Sequence, residues 1–209
     1  MKKLNGLLVG MVLVLFAASA HAVSGTEYLN HFMKKVKTVK AVFTQEVVNE
    51  QGQITQTSYG EFRLKRPGKF LWKYESPSPQ KIVSDGRNMW IYDVELEQVT
   101  VKPLSQALGS SPAAILTNAT DLSKRYVVLE KSPREGLQWV ELRPKDKQGD
   151  FIKIEVGLDD AGVQAMDLYD QFGRMTMIRF QESSFDVPLS QSQFRFVPPK
   201  GVDVIGKPR

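Results

Sequence analysis

Residues that commonly perform catalysis or bind metals are scarce in this chain of 209 residues. It has no cysteine and two histidines, His21 and His31. The lack of cysteine excludes disulfides, thiolate metal ligands and cysteine nucleophiles. A Ser-His-Asp triad or a histidine metal site would have to be built around those two positions, and we predict that His31 lies on the exposed side of a helix. We therefore expect no metal site.

Two pairs of carboxylates, Asp159/Asp160 and Glu95/Glu97, are the remaining candidates for acid–base catalysis or calcium binding. Both pairs occur in turn-like or strand-edge contexts, where a solvated surface is the favoured interpretation. The sequence also lacks a P-loop, a dinucleotide-binding glycine motif, a nucleophile elbow and a zinc signature. We predict that the chain is not an enzyme and needs no cofactor.

The N-terminus has the layout of a secretory signal peptide. Lys2 and Lys3 precede an apolar run, Leu7 to Ala18, which ends at the small-residue triplet Ala20-His21-Ala22. The run is too short to span a bilayer. We predict a signal peptide over residues 1–22 and cleavage before Val23, which leaves residues 23–209 as one exported domain. Because Val23 is not cysteine, the mature N-terminus is not expected to carry a lipid anchor.

The whole chain carries a formal net charge of +5, with a sequence pI near 9.3. Basic residues alternate with aromatic ones between Phe62 and Tyr74, a pattern that also describes platforms for single-stranded nucleic acid. An exported protein rarely meets nucleic acid, and the signal peptide removes part of the positive charge. We therefore predict no nucleic-acid partner and favour anionic lipid or peptide at any basic surface.

Two stretches have helical patterns. In the first, Thr26 is the predicted N-cap, and the apolar residues that follow have the three-and-four spacing of an amphipathic helix: Leu29, Phe32, Met33, Val36, Val39 and Phe43. The second runs around Leu104–Leu108 and Pro112–Leu116, with Ser111 and Pro112 as a start signal. Its small apolar residues fit a core helix, the favoured interpretation, or a cover that seats and lifts.

Most of the remaining chain has strand patterns. Ile152 to Leu158 alternates apolar residues with Lys153, Glu155 and Gly157, as expected of a sheet with one wet face. Turn signals recur mostly every ten to twenty residues or so, for example at Pro67-Gly68 and Asp85-Gly86. This spacing predicts an antiparallel meander rather than alternating strands and helices.

The strands of the first half are rich in aromatic residues. Because side chains alternate between the faces of a strand, Phe62 and Leu64 share one face of their strand, and Phe70 and Trp72 share one face of the next. In a third strand, Met89 and Ile91 share one face, and Trp90 and Tyr92 share the other. An ordinary hydrophobic core is the favoured explanation, because aromatic side chains dominate core packing. The alternative is a sheet curled around a cavity for an apolar ligand.

Several segments in this order resemble the LolA family of outer-membrane lipoprotein carrier proteins. They are Ala41-Val42-Phe43-Thr44-Gln45, Gly60-Glu61-Phe62, Lys65-Arg66-Pro67-Gly68-Lys69-Phe70-Leu71-Trp72, Val83 to Tyr92, and Phe194 to Val202. Each segment alone is weak, but the set in this order is specific and covers essentially the whole mature chain. Val23 favours the soluble carrier over its lipid-anchored sister receptor, which would need a cysteine there.

The resemblance implies a mainly β protein with short α-helices: an unclosed antiparallel β-barrel of about eleven strands, with a helical lid over an apolar cavity. It implies a monomeric periplasmic chaperone for acylated lipoproteins. An ATP-driven transporter of the inner membrane would release the cargo, and an outer-membrane lipoprotein receptor would accept it. The alternative is an exported binder of another lipid or apolar ligand with similar architecture.

The resemblance also implies roles for individual residues. Arg66 would hold the lid closed through hydrogen bonds to backbone carbonyls of the lid helices. The expected cavity residues for acyl chains are Phe62, Leu64, Phe70, Trp72, Trp90 and Ile91. The expected lid residues are Leu29, Phe32, Leu108, Ile115 and Leu116. Ala113 and Ala114 depart from the family, which often has bulkier apolar groups there.

Overall fold

The computed structural model describes residues 23–107, 111–117, 122–146 and 149–209. The predicted signal peptide and the predicted lid residue Leu108 lie outside these ranges. Within them, no helix combines the length and apolar character that crossing a membrane would require.

Strands form most of the described structure, and four short α-helices and one 3-10 turn at Gln191–Phe194 accompany them. The helices are α1 (Gly25–Lys35), α2 (Leu104–Ala107), α3 (Pro112–Thr117) and α4 (Leu122–Arg125). The first six strands are β1 (Thr38–Val48), β2 (Ile54–Lys65), β3 (Lys69–Ser76), β4 (Gln80–Asp85), β5 (Asn88–Asp93) and β6 (Gln98–Pro103). The others are β7 (Tyr126–Arg134), β8 (Leu137–Pro144), β9 (Phe151–Leu158), β10 (Val163–Asp170), β11 (Met175–Phe185) and β12 (Asp203–Ile205).

All twelve strands belong to one sheet, in the order β12-β6-β5-β4-β3-β2-β1-β11-β10-β9-β8-β7. The end strands β12 and β7 do not pair with each other, so the sheet is unclosed. Strands β1 to β11 pair antiparallel, as the turn spacing predicted, whereas the short β12 lies parallel to β6. The predicted fold, a mainly β, unclosed antiparallel sheet with short helices, is therefore confirmed.

One face of the sheet, here called the inner face, packs on the helices to form the main core. Its residues come from both halves of the sheet, including Phe62 and Trp72 in the first half and Val156 and Met166 in the second. Helix α1 packs on β7, β8 and β9, whereas α2 packs on β5 and β6, and α3 on β2 and β3. The helices thus cover the inner face from both sides.

The opposite, outer face carries a second, smaller cluster. Trp90 packs there with Val99 and Val101, and Phe196 and Val202 of the C-terminal segment cover it. The prediction that Trp90 lines the cavity is therefore wrong. Alternation had correctly separated Trp90 from Ile91, but the C-terminal segment, distant in sequence, supplies the apolar partners that bury Trp90 on the outer face.

Helix α1 differs from its prediction at both ends. Ser24, not Thr26, is the N-cap, and it forms a capping box with Glu27. The helix ends at Lys35, and β1 begins at Thr38. The apolar residues Val39 and Phe43, which were predicted to continue the helix, belong to β1. Pairing of this strand with both β2 and β11 outweighs local helix preference.

Strand β9 also departs from the simple pattern of one wet face. Ile154, Val156 and Leu158 are buried as predicted, whereas Ile152 near the start of the strand is 60% exposed. On the other face, Glu155 is only 4% exposed. Arg134 and Lys153 pair with its carboxylate at 2.9 and 3.0 Å. Burial opposes ionisation of Glu155, but these cations outweigh that effect and its pKa is lowered. Both faces of this part of the sheet are therefore covered.

Candidate functional site

The Arg66 side chain links the two groups of helices that cover the inner face. It follows β2 directly and donates hydrogen bonds to three backbone carbonyls: Nε to Val36 at 2.9 Å, Nη2 to Phe32 at 3.5 Å, and Nη1 to Leu116. Phe32 and Val36 belong to the C-terminal end of α1, whereas Leu116 belongs to α3. One guanidinium therefore joins a helix on β7–β9 to a helix on β2 and β3.

The Arg66 guanidinium is partly buried. Burial lowers the pKa of Arg66 to about 10, and Asp186 partly opposes that effect. The guanidinium also lies over the Phe32 ring, 4.9 Å from its centroid. It is still charged at neutral pH, where a cation near the C-terminal carbonyls of α1 is favoured by the helix dipole. Removing its donors would leave those carbonyls without this partner.

Helix α1 is held at its other end by a carboxylate. Glu130 of β7 accepts hydrogen bonds from the backbone N–H groups of Gly25 at 2.6 Å and Thr26 at 3.1 Å. Gly25 is required by this close approach, since a Cβ atom would lie 2.9 Å from both the Glu130 carboxylate and a backbone oxygen of Trp139. An anion at the N-terminus and a cation at the C-terminus both suit the helix dipole. Glu130 was not predicted, because it has no local signal in the sequence.

Aromatic side chains fill the inner face beneath the helices. The Trp72 ring lies 4.5 Å from Phe43 and 5.1 Å from Phe62, and Phe62 lies 5.4 Å from Phe180, measured between ring centroids. These distances are typical of favourable aromatic pairs. Phe43 and Phe180 were not among the predicted cavity residues, and they join the cluster because β11 pairs with β1.

The structure places nearly all described candidate residues together. Four of the six predicted cavity residues belong to the main core on the inner face, namely Phe62, Leu64, Phe70 and Trp72, and Ile91 packs against that core. The described lid residues contribute to the same core: Leu29, Phe32, Ile115 and Leu116. Trp90 lies apart on the outer face, and Leu108 is outside the described residues.

The helices leave almost none of this apolar surface accessible. Leu64 and Phe70 are fully buried, and Phe62 and Trp72 are 1% exposed. Ala113 and Ala114 of α3 are buried as well, so their small side chains seat the helix closely against the sheet. An apolar ligand would reach these residues only after the helices move. The structure therefore has the features of a closed state.

The inner face offers apolar contact and little chemistry. No three His, Asp or Glu side chains converge as a metal site would require in the part of the chain that the structure describes. Arg66 and Glu130 are charged groups that contact the helices, and both are engaged in hydrogen bonds with the helix backbone. The arrangement is suited to the reversible burial of an apolar ligand.

Comparison with known proteins agrees with this geometry. Residues 34–197 match the model of the family described as outer membrane lipoprotein carrier protein LolA. A relative from Cupriavidus taiwanensis, named outer-membrane lipoprotein carrier protein, is 43% identical over 198 residues, which cover 92% of this chain and 93% of the relative. A relative of the same name from Dechloromonas aromatica is 40% identical over 188 residues, which cover 90% of each chain.

Solved structures support the fold. A conserved protein from Thermus thermophilus matches with a TM-score of 0.55 at 14% identity, covering 86% of this chain and 97% of that one. At that identity the match supports the architecture and says nothing about the ligand. The sequence match over residues 34–197 shows more: this chain belongs to the LolA family of outer-membrane lipoprotein carrier proteins.

Proposed function

We propose that residues 23–209, freed of a signal peptide over residues 1–22, act as one periplasmic domain that carries lipoproteins between membranes. The observation that supports this most is the apolar inner face under helices that one arginine ties together. The names of the relatives, and their coverage of nearly the whole chain, support the same role. An inner-membrane ATP-driven transporter would supply the cargo, and an outer-membrane receptor would take it. The carrier would bind as a monomer and catalyse no reaction.

The cost of exposing acyl chains to water explains why such a carrier needs an inner face of this kind. Transfer of one methylene from water to an apolar environment is favourable by about 0.8 kcal/mol, so burial of a long acyl chain is favourable by on the order of 10 kcal/mol. Phe62, Phe70 and Trp72 would supply the replacing apolar surface. Since these residues are buried under α1 and α3 in the closed state, loading must exchange helix contacts for acyl contacts.

Arg66 would set the balance between the closed and loaded states. Its hydrogen bonds to α1 and α3 favour closure, and hydrogen bonds from a charged donor are each worth about 1.5 to 3 kcal/mol. The acyl chains favour opening by a comparable amount. A ligand selects the open state only by its differential affinity, and no energy source in the carrier is then needed. Glu130 would keep the N-terminus of α1 in place while its C-terminus moves.

Intrinsic fluorescence provides a test, because the three tryptophans lie in different places. Trp72 lies on the inner face, whereas Trp90 packs in the outer-face cluster. We expect the indole emission of the mature protein to change when an acylated lipoprotein binds and displaces an uncharged apolar dye. The Trp90→Phe variant should keep the emission change, and Trp72→Phe should lose it.

The dye and the two variants separate the possible outcomes. Dye that stays bound at saturating acylated lipoprotein would contradict binding at the inner face. Displacement by free fatty acid but never by lipoprotein would instead indicate an exported binder of another apolar ligand. An unchanged response in Trp72→Phe would place the acyl chains away from Trp72.

A further inference from the structure

The inner face changes from apolar to polar at one level across neighbouring strands. Pairing aligns Ala41, Phe62, Trp72, Ile82 and Ile91 in one apolar row across β1 to β5. The next row, by the same pairing, is Phe43, Gly60, Tyr74, Gln80 and Asp93. Beyond it, Gln45 pairs with Ser58. Moving along the strands away from Arg66, the lining thus passes from mainly aromatic and aliphatic groups to amides, hydroxyls and the Asp93 carboxylate.

A cavity of about 230 Å³ lies at this polar end. It is lined by Gln45, Gln56, Ser58, Tyr74, Ser78, Gln80 and Asp93. Pockets that enclose a whole drug-sized ligand measure about 300 to 1,000 Å³, so this one suits part of a larger molecule. The Tyr74 ring packs against the main core, at a centroid distance of 5.4 Å from Phe43. Tyr74 therefore belongs both to the cavity lining and to the edge of the main core.

Glycine at position 60 is what allows this junction. A Cβ atom there would lie 2.0 Å from the Lys73 carbonyl oxygen and 2.8 Å from the Phe43 ring. The backbones and rings of three strands therefore meet closely between the apolar row and the polar cavity.

The junction presents hydrogen-bond donors. The Tyr74 hydroxyl donates to Gln45 Oε1 at 3.0 Å, and within the described residues the Gln45 amide nitrogen makes no hydrogen bond. The Trp72 indole N–H is buried and has no partner of acceptable geometry in the described chain. This indole lies near the Tyr74 hydroxyl. Burial raises the pKa of Tyr74, and the Trp72 and Gln45 side chains partly oppose that effect. A group rich in acceptors would complement these two nitrogens.

We propose that this polar cavity binds the junction between the acyl chains and the peptide of a lipoprotein, through the ester carbonyls of its glyceryl group. The inference rests on the proposed carrier function and adds a subsite to it. Ester carbonyls accept hydrogen bonds but donate none, which matches the amide nitrogen of Gln45 and the indole of Trp72. With the esters at this level, the acyl chains run toward Phe62 and Phe70, and the peptide leaves through the polar opening.

A pair of matched ligands tests the subsite. The diester is a cysteine tetrapeptide with two palmitoyl esters on its glyceryl group, and the diether has hexadecyl ethers in their place. Both offer long unbranched chains, but the diether lacks the carbonyl acceptors. In dye displacement we expect the unmodified mature protein to bind the diester about tenfold more tightly than the diether. The double variant Gln45→Leu, Tyr74→Phe should lose most of this preference, because it keeps only the Trp72 indole as a donor.

Gln181→Leu is the matched control, since Gln181 is an exposed glutamine on β11 of the same sheet. It should keep the tenfold preference. Equal binding of diester and diether by the unmodified protein would overturn the subsite and leave the carrier function standing. Binding of neither ligand would overturn the carrier function, and the subsite with it. An undiminished tenfold preference in the folded double variant would remove Gln45 and Tyr74 from the contact.

Discussion

Replacing Arg66 with leucine is expected to leave cargo uptake intact while transfer of the cargo to the outer-membrane receptor falls at least tenfold. Leucine removes the donors to Phe32, Val36 and Leu116 and adds apolar surface beneath the helices. The closed state then loses on the order of 3 kcal/mol of stability relative to the open state. This shifts the equilibrium between the two states roughly a hundredfold toward the open one. Cargo is held more tightly because the empty carrier no longer gains these hydrogen bonds on closing.

The measurement is receptor-dependent transfer of a labelled lipoprotein from preformed complexes. Transfer by Arg66→Lys should be intermediate, because the lysine ammonium lacks the planar, forked donors with which a guanidinium reaches several carbonyls at once. Arg63→Leu is the matched control: Arg63 lies on β2 and its ion pair with Glu61, at 2.7 Å, is partly exposed. Normal transfer by a folded Arg66→Leu protein would show that the hydrogen bonds of Arg66 do not govern release.

Replacing Ile91 with aspartate is expected to weaken binding of an acylated lipopeptide at least thirtyfold. Ile91 is half-buried and packs against the main core from the inner face. A carboxylate at this position would lose water when an acyl chain covers it, a cost of several kcal/mol for an unpaired charge. The free protein bears much less of this cost, because the side chain keeps access to water. The fold should therefore persist.

Leu96→Asp provides the control, since Leu96 is 70% exposed in the turn after β5. Its affinity for the lipopeptide should match that of the unmodified protein. The comparison uses titration of dye-loaded protein, with circular dichroism to verify the fold of each variant. Equal affinities for Ile91→Asp and Leu96→Asp would mean that acyl chains do not contact this part of the inner face.

The fold was predictable wherever local pattern and turn chemistry decide it. Turns predicted at Pro67-Gly68 and Asp85-Gly86 both separate antiparallel neighbours in the sheet. Glycine at the second position of each adopts a positive φ, which other residues rarely do. The parallel strand β12 had no comparable signal, because its partner β6 lies about a hundred residues earlier in the chain.

Errors arose where a distant segment decides the environment. Trp90 and Ile91 were correctly assigned to opposite faces, but only Phe196 and Val202 reveal that both faces of β5 are covered.

The N-cap was readable from sequence, since Ser24 and Glu27 have the spacing of a capping box. That signal was present and was missed.

The candidate site was only partly visible in the sequence. Arg66 was found through its family motif, and its buried geometry agrees with a role between the helices. Gln45, Ser58 and Gln80 gave no signal of a binding site, because a single amide or hydroxyl in a strand is ordinary. Only the pairing register of the sheet shows that they share a cavity beside Tyr74.

The inner face is proposed above all to bind the acyl chains of a lipoprotein. The most direct measurement mixes the mature protein with acylated and unacylated forms of one lipoprotein and separates soluble complexes by size. We predict a one-to-one complex with the acylated form and none with the unacylated form at the same concentrations. Complexes of equal yield with both forms would show that the protein recognises the polypeptide, and would contradict acyl-chain binding as the basis of its function.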